Sequence, residues 1–137
     1  MLFFSTHKLR AFPGTGYPER RGEGEGLGYN INVPLESGAG DNDIIRAFEE
    51  KLLPEVDKFK PDLVMISAGF DSRVDDRLGD FKITDKGFVK LTEMMMDIAE
   101  KHCKSRLVSA LEGGYNLKGL ALAIEAHIRT MLEYKKT

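Results

Sequence analysis

Two short apolar runs, each followed by a loop and a long helical pattern, constrain the fold of this chain most strongly. The runs are Leu63–Ser67 and Leu107–Leu111, and apolar runs without alternation are typical of parallel strands that are covered on both faces. The spacing of apolar residues predicts helices over 85–102 and 116–134, with Thr84 and Asn116 as their N-caps. Strands that alternate with helices in this way indicate right-handed βαβ units and a parallel sheet.

The first sixty residues add two strands, one helix and the longest loop. Residues 2–5 and the alternating residues 29–33 each predict a strand. Most of the 14 glycines lie within residues 11–40, and this density of breakers excludes a helix there. Residues 41–60 show helical spacing, with a kink or break expected at Pro54. The chain is therefore expected to form one α/β domain.

Charge and cysteine content exclude several classes of protein. Lys and Arg together number 20 and Asp and Glu 22, which gives a formal net charge of −2. Proteins that bind nucleic acid through its phosphates carry a clustered basic excess, so we expect no direct nucleic acid ligand. Cys103 is the single cysteine, which favours a reducing compartment. The apolar start Met1–Phe4 is too short for a signal peptide or a membrane span, so we expect a cytoplasmic protein without membrane contact.

Two loops follow the predicted strands at the place where α/β sheets bind ligands, beyond the carboxyl ends. Asp71 comes after the first apolar run and the flexible pair Ala68-Gly69. A carboxylate there is suited to bind a metal, and capping of a turn is the alternative. In the second loop, Gly113-Gly114 allow close approach of a ligand, and Tyr115 can direct its hydroxyl at a developing oxyanion. The alternative there is a glycine turn with the tyrosine packed on the core.

Other patterns do not define a site. The segment Gly22–Gly28 is rich in glycine but never satisfies G-x-G-x-x-G, no helix follows it, and no Walker lysine-serine pair is present. A nucleotide-binding α/β domain is therefore disfavoured. The three histidines, His7, His102 and His127, are scattered along the chain, and His127 is expected on a solvated helix face.

Six segments, taken in order, resemble the histone deacetylase superfamily. The resemblance is greatest to its class II and bacterial branch, which includes acetoin-utilisation-type proteins and acetylpolyamine amidohydrolases. The segments are Phe4–Lys8, Phe12–Gly16, Gly28–Leu35, Ser67–Ser72, Asp76–Gly79 and Leu111–Asn116. This resemblance implies an arginase/deacetylase-like, three-layer α/β/α fold with a parallel sheet, of which residues 1–137 would be the C-terminal part.

The resemblance also implies roles in the chemistry of amide hydrolysis. Asp71 falls on a zinc-ligating aspartate of the superfamily. Tyr115 falls on the tyrosine that hydrogen-bonds the substrate carbonyl and its tetrahedral oxyanion. Gly113 and Gly114 would line the acetyl pocket.

Further residues match the superfamily's tunnel and its monovalent cation sites. Phe12 would flank the acyl-lysine tunnel, and Leu78 would form its rim. Ser5 and Thr6 match positions that help to hold a structural potassium near the zinc. Tyr29 matches a position that contributes to a second potassium site through its backbone.

The sequence departs from the superfamily's pattern in its histidines. No His-His pair and no Asp-x-His, the source of the other two zinc ligands, occurs in the chain. The resemblance therefore implies part of a zinc-dependent deacetylase for N-acetyl amides of lysine or a polyamine, inactive alone. The missing residues would come from an N-terminal half of the same enzyme, and self-association is a further expectation. The alternative is a non-catalytic remnant or interaction module that keeps the fold.

Overall fold

The computed structural model describes residues 1–135, in which strands and helices alternate as the sequence predicts. The strands are β1 (Phe3–Lys8), β2 (Asn30–Leu35), β3 (Val64–Ala68) and β4 (Leu107–Leu111). The α-helices are α1 (Asp41–Ala47), α2 (Leu53–Phe59), α3 (Asp85–Cys103) and α4 (Leu117–Glu133). A single 3₁₀ turn, Gly24–Gly26, interrupts the long glycine-rich loop between β1 and β2.

The strands form two parallel pairs. β1 pairs with β2, with Phe3 opposite Asn30, and β3 pairs with β4, with Val64 opposite Leu107. Parallel pairing confirms the α/β class that the alternation of strands and helices predicts. Because β3 and β4 run in the same direction, the loops after them leave the same edge of the sheet.

The predicted helix over residues 41–60 is broken, as its proline requires. α1 passes into a π-helical turn, Phe48–Leu52, before α2 starts at Leu53. Pro54 has no N–H to donate to the carbonyl four residues earlier, and a wider turn lets the backbone pass that missing hydrogen bond. The helix then ends at Lys60, whose backbone is left-handed with φ 54° and whose N–H donates to the Val56 carbonyl oxygen.

Both predicted N-caps are present. The hydroxyl of Thr84 accepts from the Gly87 N–H at 3.3 Å, and the side-chain oxygen of Asn116 accepts from the Gly119 N–H at 3.1 Å. The Asp41 carboxylate also accepts from the Thr84 N–H at 2.8 Å and from its hydroxyl at 2.6 Å. This contact joins the first turns of α1 and α3.

The core consists of two clusters that meet at Phe48 and Ile66. One cluster lies beneath the loops that follow β3 and β4; it contains Phe70, Phe81, Ile83, Phe88 and Ala123. The other packs α2 and α3 against β3 and contains Val56, Val64, Ile98, Ala99 and Cys103. Cys103 is fully buried and packs in this second cluster as a free thiol.

The helices of residues 1–135 are too short or too polar to cross a bilayer.

Candidate active site

A cavity of about 500 Å³ lies at the carboxyl end of β3. Five of the residues predicted to form a site line it: Thr6, Phe12, Asp71, Leu78 and Tyr115. Asp71 and Tyr115 come from loops that follow neighbouring parallel strands, so the topology of the sheet brings them to one place. The cavity therefore joins the two loops that the sequence singles out for chemistry.

Backbone hydrogen bonds join the two loops just beyond the strands. The Phe70 N–H donates to the Gly113 carbonyl oxygen at 2.8 Å, and the Glu112 N–H donates to the Ala68 carbonyl oxygen at 3.0 Å. These bonds extend the contact between β3 and β4 past their last paired residues. They hold the Asp71 loop against the Tyr115 loop.

The Asp71 carboxylate lies against glycines on both sides. A Cβ added to Gly113 would stand 2.8 Å from the Asp71 Cγ, and one added to Gly69 would stand 3.1 Å from its Oδ1. Burial raises the pKa of Asp71; backbone N–H groups of Asp71 and Ser72 oppose this, and the nearby Asp76 charge adds to it. A carboxylate that loses hydration in this way gains free energy from a nearby cation. These features suit a metal ligand.

Tyr115 is 61 % exposed. The alternative in which the tyrosine packs on the core is therefore wrong. Its backbone follows Gly114, whose φ of +144° is strained for any residue with a side chain and where a Cβ would meet Leu120 at 2.5 Å. Gly114 thus lets the chain turn sharply and present the phenol to the cavity that Asp71 lines.

The other predicted residues lie at the mouth of the cavity or outside it. Phe12 and Leu78 are 99 % and 70 % exposed, as suits residues at the mouth of a cavity. The Ser5 hydroxyl lies 3.0 Å from Nδ1 of His7. The Tyr29 carbonyl oxygen accepts from the Phe3 N–H at 2.8 Å. The lining of this cavity does not include Ser5, Tyr29, Gly113 or Gly114. The assignment of Ser5, Thr6 and Tyr29 to potassium sites stays a prediction, as does that of the two glycines to an acetyl pocket.

His127 is buried, and the expectation of a solvated histidine is wrong. It is 7 % exposed and lines the cavity floor, with its ring edge-on to Phe70 at 5.7 Å between centroids. The buried face of α4 consists of Gly119, Ala123 and His127, which are four residues apart. A Cβ at Gly119 would meet the Asp75 carboxylate at 2.6 Å, so that end of the face packs on the loop before α3. The four-residue spacing of Gly119, Ala123 and His127 was the signal that sequence reasoning missed.

Hydrogen bonds determine which ring nitrogen of His127 carries the proton. The Thr92 hydroxyl donates to the Phe88 carbonyl oxygen at 2.7 Å and lies 2.7 Å from His127 Nδ1. Because the hydroxyl proton is already engaged, Nδ1 donates, and Nε2 accepts from the Ser109 hydroxyl at 2.9 Å. Burial lowers the pKa of His127. The geometry therefore describes a neutral imidazole that connects α3, β4 and α4.

Asp76 is the second residue near the site whose place sequence reasoning did not foresee. Its carboxylate is buried and accepts hydrogen bonds from the backbone N–H groups of Leu78, Gly79, Tyr115 and Asn116. Its position in the segment Asp76–Gly79 was the available signal, since an aspartate side chain in a turn often accepts from the backbone N–H two residues on, here that of Leu78.

The residues of this chain do not form a complete zinc site by themselves. Within residues 1–135, no group of three or more His, Cys, Asp or Glu side chains stands close enough together to hold a metal ion. A catalytic zinc takes three protein ligands and keeps one open position. Asp71 can supply one of the three.

Comparisons with known proteins agree with the α/β fold. The model of the histone deacetylase domain matches residues 1–131. The chain is 43 % identical to a probable deacetylase of Archaeoglobus fulgidus over 119 residues, which are 87 % of this chain and 33 % of that protein. It is 38 % identical to the chloroplastic histone deacetylase 10 of Oryza sativa subsp. japonica over 132 residues, which are 96 % of this chain and 30 % of that protein.

A solved structure extends the agreement to three dimensions. The HD domain of HDA15 superimposes with a TM-score of 0.90 at 38 % identity, over 99 % of this chain and 38 % of that one. This match confirms the deacetylase-like α/β fold. The chain spans about a third of the length of the curated relatives it matches. By sequence and by fold, this chain belongs to the histone deacetylase domain family.

Proposed function

We propose that this chain supplies part of the active site of a zinc-dependent deacetylase that hydrolyses N-acetyl amides of lysine or of a polyamine. The observation that carries the proposal is that Asp71 and Tyr115 line one cavity, with Phe12 and Leu78 exposed beside it. Asp71 contributes an anionic oxygen ligand from a partly dehydrated position. Family membership supports the reaction class, because the matched relatives carry deacetylase names.

In this proposal Tyr115 acts on the substrate rather than on the fold. Its exposed phenol donates a hydrogen bond to the amide carbonyl oxygen and to the oxyanion that develops there. Removing one such donor typically lowers kcat by about 10²–10³. Phe12 and Leu78 exclude water from the aliphatic part of the substrate, since both present large apolar side chains at the mouth.

The chain alone is proposed to be inactive. One carboxylate cannot replace the three protein ligands of a catalytic zinc, and no Asp-x-His or His-His occurs in the sequence. Activity requires a polypeptide that supplies those groups, and an N-terminal half of the same enzyme is the proposed partner. A second copy of this chain would bring only the same incomplete set.

The second candidate function is a non-catalytic interaction module that keeps the deacetylase fold. The incomplete ligand set within residues 1–135 favours it. In that case the exposed Phe12, Leu78 and Tyr115 would bind a partner protein rather than an acyl chain. The two functions differ in whether Asp71 and Tyr115 contribute to zinc-dependent hydrolysis.

Complementation distinguishes these functions. The purified chain is combined with the part of the Archaeoglobus fulgidus relative that it does not match, and hydrolysis of an acetyl-lysine peptide and of an N-acetylated polyamine is measured with and without zinc. We expect no activity from the chain alone and zinc-dependent activity from the mixture. Asp71→Asn should abolish that activity, and Tyr115→Phe should lower kcat by about 10²–10³.

Tyr134→Phe is the matched control, because the Tyr134 hydroxyl bonds Asp97 and neither residue lines the cavity. This variant should retain activity. A mixture that binds zinc but gives no hydrolysis would support the interaction module. Zinc-dependent hydrolysis by the chain alone would contradict the claim that its site is incomplete.

A further inference from the structure

A single buried carboxylate, that of Asp76, connects the two loops that border the cavity. Asp76 is 6 % exposed and lies between β3 and α3. Its Oδ1 accepts from the backbone N–H of Leu78 at 2.9 Å and of Gly79 at 3.4 Å. Its Oδ2 accepts from the backbone N–H of Tyr115 at 2.6 Å and of Asn116 at 3.1 Å. Both oxygens are thus satisfied by main-chain donors, two from each loop.

The surroundings of Asp76 favour its charged form. Burial alone would raise its pKa, but the donors Tyr115, Leu78, Asn116 and Gly79 outweigh burial and lower it. Hydrogen bonds from N–H groups to an ionised acceptor are shorter and stronger than neutral ones. The short contact to the Tyr115 N–H agrees with this. The carboxylate therefore holds the two loops by charge-assisted bonds.

Capping of α4 does not account for this arrangement. Asn116 already caps the helix through its side-chain bond to the Gly119 N–H. The Asp76 bonds instead reach the backbone of Tyr115, which follows the two flexible glycines of its loop, and the backbone of Leu78 at the mouth. Without them, the flexible backbone at Gly114, whose φ is +144°, would let the Tyr115 backbone move relative to the cavity.

We propose that Asp76 is a positioning residue, which sets the place of Tyr115 and Leu78 around the cavity lined by Asp71. The catalytic meaning of this placement rests on the proposed function, but the placement itself does not. Asp76 touches no substrate in this proposal and acts through the backbone of the residues it holds.

Amide hydrogen exchange in the full chain tests the placement directly. Asp76→Asn keeps the shape of the side chain, but it removes the charge and turns an NH₂ group toward N–H donors. We expect exchange of the four bonded amides to accelerate by at least about tenfold, as loss of bonds to a charged acceptor implies. The Tyr115 ring resonance should shift, while the amides of Ala99 and Cys103 in α3 stay protected.

Asp75→Asn is the matched control on the same loop. The Asp75 carboxylate pairs with the Arg73 guanidinium at 2.5 Å rather than with the site backbone. Arg73 also pairs with Asp85 at 2.8 Å, and this second partner is not altered by the substitution. Protection of the Tyr115 amide should remain as in the wild type. Acceleration at Tyr115 in the control equal to that in Asp76→Asn would overturn the proposal.

A measurement on the wild-type chain decides the matter if Asp76→Asn does not fold. Through-hydrogen-bond NMR correlations should connect the amide nitrogens of Tyr115 and Asn116 to the Asp76 side-chain carboxyl carbon. Their absence, with both amides resolved, would overturn the proposal, as would unchanged exchange and an unchanged Tyr115 ring resonance in a folded variant. These measurements need neither zinc nor substrate, so an inactive complementation mixture contradicts the proposed function alone.

The complemented enzyme adds a readout that a general loss of stability would not produce. If Asp76 acts through Tyr115, the loss of kcat caused by Asp76→Asn disappears in a Tyr115→Phe background. Losses that multiply fully in the double variant would overturn the proposal, because residues that act as a unit are non-additive.

Discussion

Replacing Thr92 with valine tests whether the buried hydrogen bonds beneath the cavity stabilise the fold. Thr92 is 3 % exposed, and its hydroxyl oxygen lies 2.7 Å from His127 Nδ1. Valine keeps the shape of the side chain and removes the acceptor. The imidazole cannot recover by shifting its proton, because Nε2 already bonds Ser109 and either tautomer leaves one ring nitrogen without a partner.

The expected magnitude follows from that unpaired nitrogen. Leaving a buried polar group unsatisfied costs about 1–3 kcal/mol, a large part of the roughly 5–15 kcal/mol by which a domain is stable. Thr92 also donates to the Phe88 carbonyl oxygen, and losing that bond contributes separately. Thr130 makes the same bond to Ala126 in α4 at 2.7 Å, and among the described residues the ring of His127 bonds Thr92 and Ser109 rather than Thr130. The difference between Thr92→Val and Thr130→Val therefore isolates the His127 bond.

Urea unfolding of the wild type and both variants measures this difference. We expect Thr92→Val to lower the free energy of unfolding by at least about 1 kcal/mol more than Thr130→Val, with unchanged dependence on urea concentration. The ¹⁵N chemical shifts of the His127 ring report its tautomer in the wild type. Equal losses in the two variants would refute the reasoning that a satisfied imidazole contributes to stability here.

Two further predictions concern the protonation of His127 and the space around the Asp71 carboxylate. Burial lowers the pKa of His127 below its ordinary 6.5, so below that pH the unfolded chain binds more protons and the free energy of unfolding falls. We expect the fall in the free energy of unfolding between about pH 6.5 and pH 5, measured by urea unfolding, to be smaller in His127→Gln than in the wild type. In His102→Gln this fall should persist. In Gly113→Ala the new Cβ would stand 2.8 Å from the Asp71 Cγ; displacing that carboxylate should lower activity of the complemented enzyme by about 10²-fold. Gly26→Ala, where nothing lies within 4 Å of the added Cβ, should leave activity unchanged.

Local signals in the sequence predict the elements of the fold. The run Leu107–Leu111 matches β4 at both ends, and Thr84 and Asn116 cap the helices for which they are predicted. A cap depends on residues three positions apart, and an apolar run depends on consecutive residues. Such features need no knowledge of distant contacts. The cavity itself follows from two parallel strands whose loops carry Asp71 and Tyr115.

The supporting residues of the site escape prediction because their partners are distant in sequence. Asp76 accepts from Tyr115, which lies 39 positions away. His127 bonds Thr92 across 35 positions. Its second partner, Ser109, lies 18 positions away on β4, and the four-residue spacing on α4 marks a buried face without identifying these partners. Local patterns therefore identify the groups for chemistry but not the groups that hold them.

The geometry explains how a chain that spans about a third of the length of its relatives could hold the proposed part of a site in place. The positions of Asp71 and Tyr115 depend on bonds made entirely within this chain, through the Phe70–Gly113 contact and the Asp76 carboxylate. A partner that supplied the remaining ligands would thus meet a half that is already ordered. The entropic cost of ordering these loops would arise when the chain folds rather than when the partner binds. Preorganisation of this kind strengthens binding. If Asp76→Asn loosens the Tyr115 loop, the partner should bind more weakly as well as giving slower hydrolysis.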